Sequence, residues 1–428
     1  MKLLHTSDWH LGQHFFHRSR HAEQQAFLRW LLEVMETEQV DVLLVAGDIF
    51  DTATPPSAAR ELLNQFVVDV QRLGVQLILL GGNHDAIATL HEARPLLRYL
   101  ETHVIATTDL PLDEQVITLH DRAGVPSALL CAVPYLRPKE LITSRAGDSA
   151  EAKRQWLLEA MQAHYQCLYA HAEQRRAALG LDVPILGSGH LTALGMSRSD
   201  SERDLYIGTL EAVPSDIFPP FDYLALGHLH RPQRISGKAH WCYSGAPYRL
   251  SFDELSHQKQ VNLVSFCPAE ADFSSEPASH PESELENPSV TVTPLAVPVF
   301  QPMQRLRGDW AQIESHLQQL KTDYPQGNPS LWLAIELEDG LGLSDARQQI
   351  QQQLADTAVD VVVIRRVARQ ADTVLAQQAQ ETLSELTPEQ VFEQRLLSSG
   401  LDDEADRARL RLLFRQALAE VEQGQVAE

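Results

Sequence analysis

The chain has 428 residues, a hydrophobic fraction of 44% and a formal net charge of −23. A prior of about 150 residues per domain points to two or three domains, with enough apolar residues for a sizeable core. The acidity excludes a simple basic nucleic-acid binder. The excess charge reads either as a solubility device or as a sign that metals and a partner subunit supply positive charge.

The opening residues MKLLHTSDWHLG hold no long apolar run, so no signal peptide is expected. The apolar run Val40–Ala46 is too short to cross a bilayer, and no membrane association is expected. Cys131, Cys167, Cys242 and Cys267 form no CxxC pair, which points to a reducing cytoplasm rather than a disulfide framework.

Residues 1–267 alternate apolar strands with amphipathic helices. Strands are expected at Lys2–Thr6, Val40–Ala46, Gln76–Leu80, Val116–Leu119, Ala128–Val133, Pro184–Gly187 and Tyr223–Leu226, each short and rich in Leu, Val and Ile. Helices are expected at Glu23–Glu38, Ser57–Leu73 and Ala150–Ala178, where apolar residues recur at three- and four-residue spacing. The reading is an α/β layered domain. Residues 268–296 begin with a Ser-, Glu- and Pro-rich stretch nearly free of aliphatics and read as a flexible linker.

Residues 297–370 then repeat a β-α-β-α-β order. The strands are expected near Val297–Leu306, Leu331–Glu338 and Val359–Arg366, and the helices at Asp309–Leu320 and Ser344–Leu354. This predicts a small α/β capping domain. The tail, 371–428, reads as two helical segments. One follows Pro388, and the other carries Leu410, Leu413, Phe414, Ala417, Leu418 and Val421 on one face. That stripe either docks on its own chain or enters a partner's groove.

Five short motifs carry the chemistry: Asp8-Trp9-His10, Gly47-Asp48, Gly82-Asn83-His84-Asp85, Gly189-His190 and Gly227-His228-Leu229-His230. Each falls at the C-terminal end of an expected strand, the edge where ligands collect in α/β sheets. Asp8, His10, Asp48, Asn83, His190, His228 and His230 offer oxygen and imidazole donors but no thiolate, a set suited to Mn²⁺, Fe or Zn²⁺. They are too many for one tetrahedral ion and fit two ions bridged by a carboxylate.

His84, beside the ligand Asn83, is expected to point away towards substrate. There its imidazole can protonate a leaving oxygen. Asp51 and Asp85 are candidates for orienting His84 or the ligands. Arg198, Arg203, Arg231 and Arg234 lie near the motifs and are either phosphate contacts or ordinary surface charge. His5, His21, His91 and His240 read as ordinary histidines; His14 and His17 do too, though both are near enough in sequence to touch substrate.

The order D-x-H, GD, GNHD, GH, GHxH resembles the calcineurin-like metallophosphoesterase superfamily. Longer blocks resemble the SbcD family, the nuclease subunit of the bacterial SbcCD complex. They are GDIFDTATPPSAAR at 47–60, SERDLYIGTLEAVPSDIFPPFDYLALGHLHRPQ at 201–233, YSGAPYRLSFDE at 243–254, VPVFQPMQRLRGD at 297–309 and ETLSELTPEQVFEQRL at 381–396.

The resemblance implies a two-sheet phosphoesterase core, a capping domain and C-terminal helices that bind a coiled-coil ATPase, SbcC. It implies Mn²⁺, a homodimer within a heterotetramer, and a cytoplasmic, nucleoid-associated enzyme of DNA repair, recombination and replication. The activity implied is ATP-dependent exonuclease action on double strands and endonuclease action on single strands and hairpins. By the same resemblance Asp8, His10 and His230 hold one metal, Asn83, His190 and His228 hold the other, Asp48 bridges, and His84 is the catalytic histidine. Archaeal and eukaryotic relatives carry a second histidine where this chain has Asp51. A small-substrate phosphoesterase would share the ligands, and a non-catalytic scaffold would be expected to have lost some of them.

Overall fold

A computed structural model describes residues 1–142, 149–199, 201–202, 212–235, 237–266, 290–326, 330–338, 342–367, 409–411 and 413–414. Two six-stranded sheets form the bulk of the molecule. In the first, the strand Lys2–Thr6 lies parallel to Val42–Ala46, which continues to Gln76–Leu80 and Thr102–Ile105. On its other side Lys2–Thr6 pairs antiparallel with Gln260–Phe266, and that strand pairs with Val290–Ala296. In the second sheet Tyr223–Gly227 sits between Ile185–His190 and Trp241–Tyr243, all parallel. Pro126–Cys131 and Val116–His120 complete one side, and the short strand Gln233–Arg234 the other.

The alternation of side chains explains the layering. Along Val42–Ala46, Leu43 and Val45 face a core shared with Phe27 and Leu31 of the helix His21–Thr37 and with Leu63 and Phe66 of Ser57–Arg72. Val42, Leu44 and Ala46 face the other way, onto Leu119, Leu130, Leu186 and Ala225 of the second sheet. The far side of that sheet buries Leu129, Cys131, Leu224 and Leu226 against Met161, Tyr165 and Leu168 of the long helix Ala150–Leu179. Strands buried on both faces are largely apolar, as Val42–Ala46 and Tyr223–Gly227 are.

Residues 303–366 build a separate three-stranded sheet from Met303–Gly308, Leu331–Leu337 and Val359–Arg366. The helices Trp310–Asp323 and Leu343–Leu354 give it its own core through Ile313, Leu317, Ala346 and Ile350. A capping box between Asp309 and Gln312 starts the first helix. This sheet and the two larger ones belong to one compact unit, Met1–Leu337 with Leu341–Arg365.

Several expectations need correction. The linker 268–296 ends too late, because Val290–Ala296 is a strand with a full register on Gln260–Phe266. Its alternation of Val and Thr is overshadowed by the polar stretch before it; residues 268–289 lie outside those described. The strand expected near Val297–Leu306 begins only at Met303, since Pro298 and Pro302 interrupt the extended run. Among the described residues, six further strands lie beyond the sequence expectation: Thr102–Ile105, Trp241–Tyr243, Gln260–Phe266 and the two-residue His14–Phe15, Arg18–Ser19 and Gln233–Arg234. The tail, 371–428, falls almost wholly outside the described residues.

Candidate metal centre

The five motifs end up at the strand ends where their spacing places them. Asp8 and His10 follow Lys2–Thr6, Asp48 follows Val42–Ala46, Asn83 follows Gln76–Leu80, His190 closes Ile185–His190, and His228 follows Tyr223–Gly227. Backbone hydrogen bonds lace the loops together: Asp8 N donates to Gly47 O (3.0 Å) and His10 N to Asp48 O (3.0 Å). Trp9 anchors the first loop. Its ring is fully buried against Phe27 and Phe66, and its Nε1 donates to Thr6 Oγ1 (3.0 Å).

The backbone is strained at this edge. Asp8 (φ 56°), His10 (φ 45°), Asp48 (φ 49°) and His228 (φ 94°) all occupy the left-handed half of conformational space. Non-glycine residues rarely adopt it, and such outliers concentrate at functional sites. Gly47 (φ 94°) and Gly82 make the approach possible: a Cβ on Gly47 would overlap the His190 imidazole, and one on Gly82 would overlap the Asp48 carboxylate.

Three clusters of donors, each with ligand atoms within 4.8 Å of one another, lie at this edge: Asp8 with His10 and His230, Asp48 with His190 and His228, and His10 with Asp48 and His84. Every one of these residues is buried. Asp48 is common to two of them. Its Oδ2 lies 3.3 Å from His190 Nε2, 3.7 Å from His10 Nε2 and 4.0 Å from His84 Nε2.

The tautomers show that something positive belongs between these groups. His190 Nδ1 must donate to the carbonyl of Ala46 (3.0 Å). A neutral ring therefore presents a lone pair at Nε2, yet that atom faces Asn83 Oδ1 at 2.9 Å and Asp48 Oδ2 at 3.3 Å. Acceptors converge there, and a proton or a metal ion relieves them. Burial pulls the His190 pKa down, but Asp48 outweighs it and lifts it to about 9. Burial likewise pushes the Asp48 carboxyl up, and the imidazoles of His190, His10 and His84 hold it well below the usual range.

His228 is the opposite case. Burial and then His190 keep its pKa well below the ordinary value, and its buried Nε2 has no hydrogen-bond partner among the described residues. A neutral, orphaned imidazole nitrogen among carboxylates is what a divalent ion needs. The residues present, a carboxylate with two imidazoles in each cluster, fit such an ion.

His84 departs from the expectation that it points away. It is buried, stands edge-on to His10 at a centroid distance of 4.7 Å, and its Nδ1 donates to Asp51 O (2.7 Å). It lies at the wall of the centre because its own backbone N–H donates to Asp48 Oδ1 (2.9 Å). Asp51 thus meets His84 through its main chain, while its side chain approaches His10 Nδ1 at 3.3 Å. Asp85 accepts from the backbone N–H groups of Gly82 (2.9 Å), Ile49 (3.1 Å) and Phe50 (2.9 Å), which ties the loops of Asp48 and Asn83 together. Burial and the nearby Asp48 lift its pKa to about 6.

The remaining candidates scatter. His5 is buried beneath the centre, hydrogen-bonded to Tyr223 Oη (2.8 Å). His14, His17 and His21 are exposed, as are Arg231 and Arg234. Arg198 Nε lies 3.8 Å from Glu202 Oε2, and Arg203 is outside the described residues.

Sequence reasoning misses the supporting residues. Ser7 Oγ donates to Asp8 Oδ2 (2.5 Å), and Arg137 donates to the carbonyls of Gly82 (3.2 Å), Asp85 (2.7 Å) and Ala106 (2.9 Å). Glu254, Lys259, Ser201 and Glu202 surround His230. Nothing in their spacing marks them. A serine or glutamate in a loop reads as surface until the fold brings it beside a ligand.

Comparison with known proteins gives the family. Residues 1–232 match the family model described as calcineurin-like phosphoesterase, and residues 299–399 match one described as type 5 capsule protein repressor C-terminal domain. The chain is 46% identical over 418 residues to the SbcD subunit of the nuclease SbcCD from Escherichia coli (strain K12), covering 98% of both chains. It is 40% identical over 273 residues to the SbcD subunit from Rhodobacter capsulatus, covering 62% of this chain and 66% of that one. For the SbcD subunit of Bacillus subtilis the figures are 32% over 277 residues, 63% and 67%.

Proposed function

Because this chain belongs to the SbcD family of calcineurin-like metallophosphoesterases, we propose that its strand-end cluster is the divalent-metal centre of a DNA nuclease. The observation that carries this reading is the convergence of His190 Nε2, Asn83 Oδ1 and Asp48 Oδ2 on one point, with the orphaned Nε2 of buried His228 close by. Asp8, His10 and His230 hold one ion and Asn83, His190 and His228 the other, with Asp48 between them. The ions are Mn²⁺, a metal that accepts mixed oxygen and imidazole donors.

When bound, two divalent ions supply Lewis acidity, lowering the pKa of an attacking water and neutralising charge on the phosphate. The chain's residues do the rest. Asp48 keeps both ligand sets in register. The Asp51 carbonyl fixes the proton of His84 on Nδ1, so Nε2 is the atom that exchanges a proton with the departing sugar oxygen. Asp85 holds the two ligand loops at one separation.

The enzyme is a nuclease acting in DNA repair, recombination and replication. It cuts double-stranded ends with ATP hydrolysis by a partner, and single strands and hairpins endonucleolytically. Residues 1–266 with the strand Val290–Ala296 supply the nuclease domain, 297–370 the cap, and 371–428 the helices that grip a coiled-coil SbcC-type ATPase. Two copies of this chain form the core of a heterotetramer in the cytoplasm, at the nucleoid. No described helix is long and apolar enough to cross a membrane. The test is a labelled hairpin duplex incubated with the chain and Mn²⁺, with and without the ATPase. Cutting that requires Mn²⁺ is expected; no cutting under either condition leaves a scaffold.

A further inference from the structure

Behind His230 lies a polar chain, anchored on buried Glu254 and Lys259, that no strand-end motif contains. Ser201 Oγ is 2.6 Å from His230 Nδ1 and 2.5 Å from Glu254 Oε1. A hydroxyl has one proton, and a carboxylate only accepts. The Ser201 proton therefore goes to Glu254, and the serine oxygen is left to accept from His230 Nδ1–H. That settles the tautomer: the lone pair of His230 is on Nε2. This atom faces into the centre, 3.3 Å from His10 Nε2.

The far end of the chain is built to stay in place. Glu254 is fully buried and accepts from Lys259 Nζ (2.6 Å) and Leu250 N (3.0 Å), with the hydroxyls of Ser199 (3.2 Å) and Ser251 (3.3 Å) within reach. Lys259, also buried, turns a second hydrogen bond onto the His230 carbonyl (2.9 Å), and Glu202 Oε1 accepts from the His230 N–H (2.7 Å). One ion pair thus grips His230 by side chain and main chain together. Such pairs are expensive to bury and give little net stability. Metal-binding histidines commonly donate their second ring N–H to a carboxylate, which orients the ring and raises its basicity. Here a serine bridges the two with shorter legs than their direct approach, His230 Nδ1 to Glu254 Oε1 at 3.5 Å.

We infer that Ser201 and Glu254, backed by Lys259, are positioning residues that present His230 Nε2 to one of the two divalent ions. The inference rests on the reading of His230 as a metal ligand and assigns these three residues to that ion alone. The full chain, stripped of metal, is titrated with Mn²⁺. Free ion is followed by electron paramagnetic resonance and bound ion by elemental analysis, and the melting temperature of the metal-free protein is recorded alongside.

Ser201→Ala should weaken one of the two ions by about 10–100-fold, leave the other unchanged and leave the metal-free melting temperature near that of the parent. Ser201→Thr, which restores the hydroxyl, should recover the lost affinity. The double change Glu254→Gln with Lys259→Met, which removes both buried charges together, should weaken the same ion. Parental binding of both ions by Ser201→Ala overturns the proposal. So does equal weakening of both ions with a lowered metal-free melting temperature, which marks a structural role. His230→Ala separates the two readings: if it binds two ions like the parent, the ligand assignment itself is wrong.

Discussion

His190 and Asp48 meet where the two halves of the centre join, with Nε2 of one 3.3 Å from Oδ2 of the other. They come from different sheets. His190 closes a strand of the second sheet, and Asp48 follows a strand of the first. The His190 Nδ1 bond to Ala46 O crosses the same boundary at 3.0 Å. The site is therefore a seam between sheets, and its geometry depends on how the sheets pack.

Asp48 touches residues of both ligand sets, so its loss should not be local. Asp48→Ala is expected to weaken both ions, each by more than the roughly 10–100-fold that losing an outer partner costs. Elemental analysis after dialysis against Mn²⁺ reads this directly. Full two-ion content in the variant would refute a bridging role.

His84 is held by main-chain contacts, its N–H on Asp48 and its Nδ1 on the Asp51 carbonyl. His84→Ala should leave metal content unchanged and lower cleavage of a hairpin duplex by about 10²–10⁴-fold, the range for a lost general acid. Near-parental turnover would remove His84 from the chemistry. Loss of one ion would make it a ligand, as its 4.0 Å approach to Asp48 allows.

Gly47→Ala tests the seam from the backbone. At φ 94° any side chain is strained, and the added Cβ would run into the His190 ring. The left-handed conformation alone costs about 1–2 kcal/mol, and displacement of His190 adds to it. The expected result is a lower melting temperature together with loss of at least one ion. A variant that melts and binds Mn²⁺ like the parent would show that the seam has slack.

Much of this centre is legible in the sequence, for a physical reason. Parallel strands end at one edge, so a polar motif at each strand end reaches the others whatever the strand order. That groups Asp8, Asp48 and Asn83, and separately His190 and His228, from strand ends alone; that the two groups meet comes from how the two sheets pack. What stays hidden depends on packing across the sheets. Glu254 lies in a short 3-10 turn and Ser201 in a loop, and only the fold brings them to His230. His84 is expected to swing away because its neighbour Asn83 is a ligand; its backbone bond to Asp48 keeps it in. The strand Val290–Ala296 escapes notice because its Val–Thr alternation follows directly on a polar stretch, where composition outweighs period.

His5 makes stability depend on pH. Burial lowers its pKa to about 3, opposed only weakly by the backbone at Leu226, so the folded chain keeps it neutral. The unfolded chain takes up a proton near pH 6.5. Between that value and about 3 the unfolded state binds more protons. Stability is therefore complete above pH 6.5 and falls as pH falls, by up to about 1.4 kcal/mol per unit. His5→Gln keeps a partner for Tyr223 Oη and cannot titrate. Urea unfolding of the metal-free protein at pH 7 and pH 5 should show a smaller loss in the variant than in the parent. Equal losses would mean that His5 does not carry the effect.

The junction of the cap with the hairpin His14–Ser19 separates two kinds of contact. Arg18 makes a bidentate ion pair with Asp360, but the two side chains are 34% and 39% exposed. Water and salt screen such a pair, which is worth about 0–1 kcal/mol. In the facing strand of the same hairpin, Phe15 stacks on Trp332 with centroids 5.4 Å apart and planes 9° from parallel. Trp332 is only 6% exposed, and the Arg20 guanidinium sits 5.5 Å from its ring. Removing that ring forfeits apolar burial and a cation–π contact, about 3–5 kcal/mol for a large aromatic cut to alanine. Asp360→Ala should therefore shift the urea midpoint slightly, and added salt of about 0.5 M should erase most of the shift. Trp332→Ala should lower the midpoint several times further with no salt dependence. If the two variants were equally destabilised, the cap would be held by charge, and the stacked aromatic pair would be a bystander.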